Sequence, residues 1–379
     1  MKKGPALLLI LALLALSVHA KDTAKERAER MGPGMNLSFL ENFWNGTKEK
    51  HFADFVNREE FEAAKQRLID IRRAGFTTVR LPVNFSAWAS MEPPYDWESE
   101  DLPRHADQLV EWALEAGLTV IIDHHHPELD ESFPVAVSTV RMVALWTRIA
   151  ERYRDRDPER VIFELRNEPK NIESEVWRAQ AEALIKVVRK VAPEHTLIVG
   201  YHDWNSRDAM IASRPFDDSN LIYTFHYYHP FMFTHKGATW VAPGISDLRN
   251  IPFPGEPGTK LAAPEKAKGT WVEQQLRSYG EDANAAVIDS HMKEARAWAD
   301  KHKVPIFLGE FGSLSTFSNY EDRCRHAEAV YAAIGKYRIP SAWWEWFAGF
   351  NFLDKEGRKP VPCFAEALKK YSAALDMAD

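Results

Sequence analysis

Strand-like and helix-like segments alternate along almost the whole chain, and this alternation limits the possible folds more than any other feature of the sequence. Short apolar segments are separated by longer amphipathic ones. Strands that alternate with helices form parallel sheets, because each helix carries the chain back before the next strand begins. The sequence predicts eight strands, at residues 34–38, 77–83, 119–123, 161–165, 196–200, 221–225, 305–309 and 341–346.

The connections differ in length at the two ends of these strands. Gly75 and Gly117 each end a helix, and a strand follows each of them almost at once. The connections after the strands are longer, and residues 227–280 show no strong periodicity. Long loops at one end are typical of a (β/α)8 (TIM) barrel, whose active site lies at the C-terminal ends of the strands. We therefore expect a single α/β catalytic domain over residues 21–379, with residues 227–280 as a wall of its cleft.

The first twenty residues carry the pattern of a secretory signal peptide. Lys2 and Lys3 precede an apolar run over residues 6–16, and Val18 and Ala20 have the size that a cleavage site accepts. The run is shorter than a membrane span, although a membrane anchor remains the alternative. We expect residues 1–20 to be removed and the mature protein to be secreted or periplasmic, with no membrane association.

The charge and the cysteine count narrow the choice of partners. The formal net charge is −7 and the sequence has no basic stripe, which argues against nucleic acid as a partner. The chain has 13 Trp, 11 Tyr and 21 Phe, more than a core needs, and the surplus suits a cleft that stacks on flat ligand faces. Cys324 and Cys363 are the two cysteines, and both a disulfide and two free thiols are compatible with the sequence. We expect a monomer.

Polar residues follow several predicted strands directly. In a barrel they would all face one shared cleft. They are Arg80 within strand two, Asp123 at the end of strand three with His124, His125 and His126 after it, Asn167 and Glu168 after strand four, His226 and Tyr228 after strand six, Glu310 directly after strand seven and Trp344 in strand eight.

Glu168 and Glu310 are the most informative pair of these residues. Glycoside hydrolysis needs one carboxylic acid to protonate the departing oxygen and one carboxylate to attack the anomeric carbon, about 5–5.5 Å apart in a retaining enzyme. A single glutamate at a strand end can instead pair with an arginine or cap a helix. Two glutamates in the same strand-end setting favour catalysis.

Arg80 interrupts an otherwise apolar strand. A buried arginine must be paired, because its charge cannot be removed. Pairing with Glu310 would hold that group ionised as a nucleophile, whereas Glu168 needs a raised pKa to keep its proton. A purely structural salt bridge is the alternative.

The run from Asp123 to His126 raises the question of a metal site. Side chains alternate along a strand, so only Asp123 with His125, or His124 with His126, can share a face. A neutral histidine that binds a sugar hydroxyl explains the run without a metal, and a metal-dependent hydrolase is the alternative. His226 and Tyr228 are two residues apart, so they are expected to line the cleft together, and a core pair is the alternative.

The motifs resemble those of glycoside hydrolase family 5, in particular its bacterial endoglucanases. The resemblance spans essentially the mature chain and rests on "GMNLS", "GFTTVRLPVNFSAW", "IIDHHHPE", "FELRNEP", "TFHYYHPFMFTHKGATW", "PIFLGEFGS" and "AWWEWFAGF", in this order. It implies that Glu168 is the general acid/base and Glu310 the nucleophile. Many relatives read "GINIGNALE" near the first strand, whereas this chain places Phe39 at the position of their second asparagine.

The resemblance also implies supporting roles. Asn167 would bind the sugar 2-hydroxyl, Arg80 would lie beneath the nucleophile and Tyr228 would donate a hydrogen bond to it. The remaining assignments are His226 beside the acid/base, His125 and then His126 as substrate contacts, Trp344 as the sugar platform, and Trp240 and Glu345 as further candidates for the cleft lining.

The sequence and the resemblance together predict a secreted retaining endo-β-1,4-glucanase (cellulase) that acts on β-linked polysaccharides or oligosaccharides without a cofactor or metal. A β-mannanase, a xyloglucanase or another β-glycanase of the family remains open. A non-catalytic carbohydrate-binding barrel is the alternative from another class.

Overall fold

The computed structural model describes residues 23–38, 40, 58–98, 100–125 and 133–376. Eight parallel strands form a closed barrel in chain order, and the last strand pairs with the first. The predicted (β/α)8 barrel is therefore confirmed, whereas the predicted signal peptide lies outside the described residues. The strands are β1 (Pro33–Asn36), β2 (Thr78–Val83), β3 (Thr119–His124), β4 (Val161–Glu164), β5 (Leu197–Val199), β6 (Leu221–Tyr227), β7 (Ile306–Phe311) and β8 (Ser341–Trp343).

Helices surround the barrel and alternate with its strands. They are α1 (Ala24–Met31), α2 (Arg58–Arg73), α3 (Asp101–Glu115), α4 (Val135–Tyr153), α5 (Ser174–Val191), α6 (His202–Asn205), α7 (Arg207–Ala212), α8 (Phe231–Thr234), α9 (Trp271–Asp282), α10 (Ala285–His302), α11 (Tyr320–Lys336) and α12 (Pro362–Asp376). Short 3-10 turns lie at Phe85–Trp88, Ile245–Asp247 and Glu265–Ala267. Within the described residues, none of the helices combines the length and the hydropathy that crossing a bilayer requires.

Helix α2 illustrates how the sequence pattern determines an element. Ala64, Leu68 and Ile71 recur at helical spacing and are fully buried against the barrel. Gly75 follows the helix with φ of +104°, a conformation that glycine adopts without strain. The chain then enters β2 after two residues, which brings the next strand-end side chains to the barrel mouth.

Helix α1 closes the opposite end of the barrel and was not predicted. Thr23 and Glu26 form a reciprocal capping box at its start, a local signal that was present in the sequence. Its apolar face and the inner residues of six strands form one cluster, and the Arg27 guanidinium pairs with Glu159 and donates to Thr196 Oγ1 at 2.6 Å. The members of the cluster are Ala24, Ala28, Met31, Ile121, Ile162, Ile198, Ile222, Phe307 and Ala342.

The structure differs from the prediction in the connection after β6. Strand β6 continues to Tyr227, and the stretch read as one long loop contains α8 and all but the end of α9. Thr270 caps α9 through its hydroxyl, and Val272, Leu276 and Tyr279 bury one helical face. Helical spacing was therefore present in this segment, but prolines and glycines before it hid the pattern.

A disulfide links two neighbouring helices on the outside of the barrel. Cys324 of α11 and Cys363 of α12 have Cα atoms 5.7 Å apart and form this bond. Both alternatives were open from the sequence, and the structure favours the disulfide.

Candidate active site

The two glutamates singled out in the sequence meet at the mouth of the barrel. Glu310 lies within β7 and is 4% exposed, whereas Glu168 follows β4 and is partly open to solvent. One carboxylate oxygen of Glu168 lies within 4.8 Å of one of Glu310. This separation is close to the value of about 5–5.5 Å in retaining glycosidases and is well below that of inverting ones.

Arg80 lies fully buried beneath Glu310 and binds three carboxylates. Its guanidinium donates to Glu310 Oε1 at 2.8 Å and to both oxygens of Glu164 at 2.7 and 2.8 Å. It also lies 3.0 Å from Asp123 Oδ2. The expected contact with Glu310 is present, but the sequence analysis missed Glu164 and Asp123 as partners. A charged residue within a buried strand was the signal for both, because such a group needs an opposite charge.

Burial and hydrogen bonds act in opposite directions on the nucleophile candidate. Burial raises the pKa of Glu310 above its usual value, although His226 and Arg80 lower it. The Tyr228 hydroxyl donates to Glu310 Oε2 at 2.8 Å, which also lowers this pKa. The carboxylate of Glu310 is thus held from both sides in one orientation.

His226 connects the two glutamates. Its Nδ1 lies 2.7 Å from Glu168 Oε1 and 3.5 Å from Glu310 Oε2. Burial lowers the pKa of His226, which favours the neutral form of the ring. The register of β6 and β7 shifts just before His226, and a Cβ on Gly309 would lie 3.0 Å from its Nε2. Glycine at position 309 therefore allows the imidazole to approach β7 closely.

The backbone of Glu168 adopts a left-handed conformation, with φ of +40°. This conformation is unfavourable for a residue before proline, and neighbouring groups hold it in place. With its amide oriented to satisfy both partners, Asn205 accepts from Glu168 N at 3.3 Å and donates to the Tyr201 carbonyl at 3.0 Å. Gly200 makes room for Asn205, because a Cβ there would lie 2.4 Å from Asn205 Cγ. The sequence analysis missed Asn205, and no local pattern marked it.

A second group of contacts at the barrel mouth involves Asn167, His125 and Trp344. Asn167 accepts from Arg80 at 2.9 Å, and its Nδ2 lies 3.4 Å from His125 Nε2. His125 Nδ1 lies 2.5 Å from Asp123 Oδ2, and the imidazole stacks on Trp344 with ring centroids 5.6 Å apart. His126 lies outside the described residues.

The sequence analysis raised a metal site on Asp123–His126. His124 is fully buried and packs against Phe85 and Trp146, while Asp123 and His125 contact each other. Donor atoms of Glu168, His226 and Glu310 lie close enough to bridge a divalent cation, but the Arg80 guanidinium bound to Glu310 opposes a second positive charge there.

The two further candidates for the cleft lining differ in exposure. Trp240 is 64% exposed, whereas Glu345 is 4% exposed. Position 39, where the chain departs from many relatives, lies outside the described residues.

Known proteins with similar sequences are named endoglucanases. Endoglucanase 3 of Fibrobacter succinogenes is 26% identical over 78% of this chain and 48% of its own length, so the chain spans about half of that relative. Endoglucanase C of Acetivibrio thermocellus is 26% identical over 86% of this chain and 94% of its own length.

Solved structures and a family match extend the comparison. Endoglucanase Cel5A from Thermotoga maritima superposes with a TM-score of 0.72 at 30% identity, covering 92% of this chain and 100% of that protein. Further structures of that protein are described as complexes with mannotriose and with cellobiose. The sequence model described as cellulase (glycosyl hydrolase family 5) matches residues 39–349. With this match over most of its length, the chain belongs to the cellulase family, glycosyl hydrolase family 5.

Proposed function

We propose that this protein is a retaining endo-β-1,4-glucanase that hydrolyses β-glucan polysaccharides by double displacement. The observation that carries the proposal is the approach of Glu168 and Glu310 to within 4.8 Å across the barrel mouth. At this separation one carboxylate can reach the anomeric carbon directly, without room for an intervening water.

In the first step, a Glu310 carboxylate oxygen bonds to the anomeric carbon while the bond from that carbon to the leaving oxygen breaks. Glu168 gives its proton to the leaving oxygen, and a covalent glycosyl-enzyme remains. Arg80 and Tyr228 orient the attacking carboxylate through hydrogen bonds of 2.8 Å each. Asn167, held by Arg80, binds the 2-hydroxyl of the sugar in this proposal, as the family resemblance implies, and the contact strengthens as positive charge develops on the ring.

In the second step, Glu168 takes a proton from water and the resulting hydroxide attacks the same carbon. The bond to Glu310 breaks, and the sugar leaves with its anomeric configuration retained. The neutral His226 imidazole, 2.7 Å from Glu168, suits a carboxyl group that must alternate between its protonated and ionised forms.

A β-1,4-glucan is the substrate that the relatives favour, since both curated relatives described above are named endoglucanases. The Thermotoga maritima protein supports β-mannan as a second candidate, because its structures include a mannotriose complex. We further propose that the protein is a monomer and that it needs no cofactor. Residues 21–379 form its catalytic domain, and residues 1–20 direct its export as a signal peptide. Export brings the enzyme to its substrate, because a polysaccharide cannot enter a cell.

The first test is the release of reducing ends by residues 21–379 from carboxymethylcellulose, mixed-linkage β-glucan, glucomannan, galactomannan and xyloglucan. We expect release from the glucans, unchanged by excess chelator. Activity that chelator abolishes would contradict the metal-free mechanism, and release from galactomannan alone would make the protein a mannanase. A protein that binds these polymers but releases nothing would be a carbohydrate-binding barrel.

The second test addresses the two roles separately. Glu310→Gln and Glu168→Gln should each lower kcat on polysaccharide by several orders of magnitude, while the exposed control Glu356→Gln keeps full activity. An aryl 2-deoxy-2-fluoro-β-cellobioside should label Glu310 covalently, detected by mass spectrometry of peptides. Label on another residue, or an α-anomer as the first product in NMR, would contradict the double displacement.

A further inference from the structure

The segment after β5 contains a turn of three consecutive left-handed residues. Asp203, Trp204 and Asn205 have φ of +60°, +55° and +53°. Residues other than glycine rarely adopt this conformation, and a run of them persists only where surrounding contacts hold it. Strain of this kind tends to lie at functional sites. The contacts of the turn therefore indicate which part of the site it supports.

The turn contacts the segment of the acid/base candidate and the neighbouring strand β6 at the same time. Trp204 N donates to the carbonyl of Pro169, the residue after Glu168, at 3.1 Å. Ser206 pairs with His226 of β6 in an isolated parallel bridge. The side chains of Glu168 and His226 are themselves 2.7 Å apart. The turn thus joins the backbones that carry both members of this pair.

Asn205 makes the contact to Glu168 itself. Its side chain is fully buried, accepts from Glu168 N at 3.3 Å and donates to the Tyr201 carbonyl at 3.0 Å. Asparagine combines a donor, an acceptor and tolerance of a positive φ in one short side chain. The three atoms nearest to a Cβ at Gly200 would all belong to the Asn205 amide, at 2.0 to 2.9 Å. Glycine at position 200 therefore keeps the space that the amide occupies.

We propose that Asn205 is a positioning residue that fixes the direction of the Glu168 carboxyl group toward the leaving oxygen. This inference rests on the proposed glycosidase function and deepens it. Glu168 has φ of +40° and precedes a proline, so its backbone relaxes when the bond from its N–H is lost. Relaxation turns the carboxyl group away from the leaving oxygen, while Glu310 keeps the hydrogen bonds that orient it. Loss of Asn205 should therefore impair proton transfer and spare nucleophilic attack.

Two cellobiosides that differ only in their leaving group separate these two steps. Dinitrophenolate leaves without a proton, whereas phenol needs one from Glu168, and kcat/KM reports the loss of the leaving group in both cases. In Asn205→Gly, glycine adopts the left-handed conformation freely, so only the amide is removed. We expect kcat/KM to fall about 30- to 100-fold on phenyl β-cellobioside and to stay within about threefold on the dinitrophenyl substrate.

The second half of the reaction gives an independent readout. Glu168 must take a proton from water in this half, so kcat of Asn205→Gly on the dinitrophenyl substrate should fall, and sodium azide should restore it. Azide attacks the anomeric carbon as the bond to Glu310 breaks, and it has no proton to lose, so the product is β-cellobiosyl azide. A general loss of stability would not make azide effective.

Two further variants test the specificity of the effect. Asn171→Gly is the matched control, because Asn171 is an exposed asparagine with φ of +51° in the same β4–α5 connection as Glu168, and it should keep both rates. Gly200→Ala should reproduce the selective loss, because its methyl group displaces the amide. Adding Gly200→Ala to Asn205→Gly should change little, since the atoms that the methyl group would meet are gone.

Equal fractional losses on the two cellobiosides in folded Asn205→Gly, or no loss on either, would overturn the inference and leave the proposed function intact. If that variant does not fold, the same two outcomes in Gly200→Ala decide. A wild type inactive on both substrates would count against the proposed function instead. The crystal structure of Asn205→Gly would then decide the positioning role. A Glu168 that keeps its φ near +40° and its 2.7 Å contact to His226 would overturn it, and a displaced carboxyl group would support it.

Discussion

At the scale of single residues, the site depends on how one arginine is shared. Arg80 is fully buried and contacts Asp123, Glu164 and Glu310, so one positive charge faces three carboxyl groups. The attraction of Arg80 for the Glu310 carboxylate does not outweigh the effect of burial, so the pKa of Glu310 is raised. The hydroxyl of Tyr228 then becomes important, because it stabilises the ionised form of Glu310 without adding charge.

Tyr228→Phe should therefore move the acid limb of the kcat/KM profile to higher pH. Removing the hydroxyl raises the pKa of Glu310 further, and a smaller fraction of the nucleophile is ionised at any acidic pH. We expect kcat/KM near pH 5 to fall by about 10- to 100-fold on an aryl β-cellobioside, with a smaller loss near pH 7. Tyr320→Phe, at an exposed tyrosine, is the control. An unshifted acid limb would contradict the role of Tyr228.

The site residues at the barrel mouth were easier to predict from the sequence than those that lie beneath it. Glu168, Glu310 and Tyr228 stand where apolar strands end, so their position alone marks them. Glu164 belongs to a strand that is buried on both faces, and the sequence does not say which face its side chain takes. Asn205 acts through a left-handed turn far along the chain, which no local pattern announces.

At the scale of elements, the connection from β6 to α9 is built on buried polar groups. Lys236 is fully buried, donates to the Phe233 carbonyl at 3.0 Å and lies over the Phe233 ring. Burial lowers the pKa of Lys236 to about 7. Asp322 opposes this shift and Arg323 adds to it, both from α11, and His326 of the same helix is nearby.

Lys236→Met should raise the melting temperature, and by more at pH 6 than at pH 10. The unfolded chain binds a proton at Lys236 up to about pH 10.5, whereas the folded chain releases it near pH 7. Stability is thus lost as the pH falls from 10.5 to 7, and the neutral methionine removes this penalty. We expect a gain of about 2 °C or more by calorimetry at pH 6.

Lys266→Met, at an exposed lysine of the same connection, should leave the melting temperature unchanged at both pH values. A gain from Lys236→Met that is equal at pH 6 and pH 10 would mean that packing, and not charge, limits this segment.

The elements themselves were predictable in proportion to the regularity of their patterns. The eight strands lie within about two residues of their predicted ends, apart from β8, which stops at Trp343. Helix α1 was hidden because its apolar face consists largely of alanines, and a face of small residues gives a weak periodic signal. The face of α1 can consist of small residues because isoleucines already fill the end of the barrel that it covers.

At the scale of the whole molecule, the Cys324–Cys363 disulfide restrains the last part of the barrel. It spans 39 residues, which include β8 and its connection to α12. A loop of this length removes enough entropy from the unfolded chain to stabilise the folded protein by about 4 kcal/mol.

Replacing both cysteines by serine should lower the free energy of unfolding by this amount, measured by urea titration. The specific activity at 25 °C should be unchanged, because the crosslink joins α11 to α12 and leaves the residues of the proposed mechanism in place. A reducing agent should have the same effect on wild type and none on the double variant. Equal urea midpoints for the two proteins would show that the crosslink does not contribute.

The closure of the barrel has a consequence for how the protein reaches its native state. Pro33 of β1 pairs with Ser341 of β8, more than three hundred residues later, and Arg27 of α1 binds residues of the third and fourth βα units. The earliest segments therefore have no complete docking surface until the last strand is available. Contacts of such large sequence separation slow folding. A growing chain should accordingly stay open to chaperones and proteases until the eighth strand is complete, and acquire its protection in one late step.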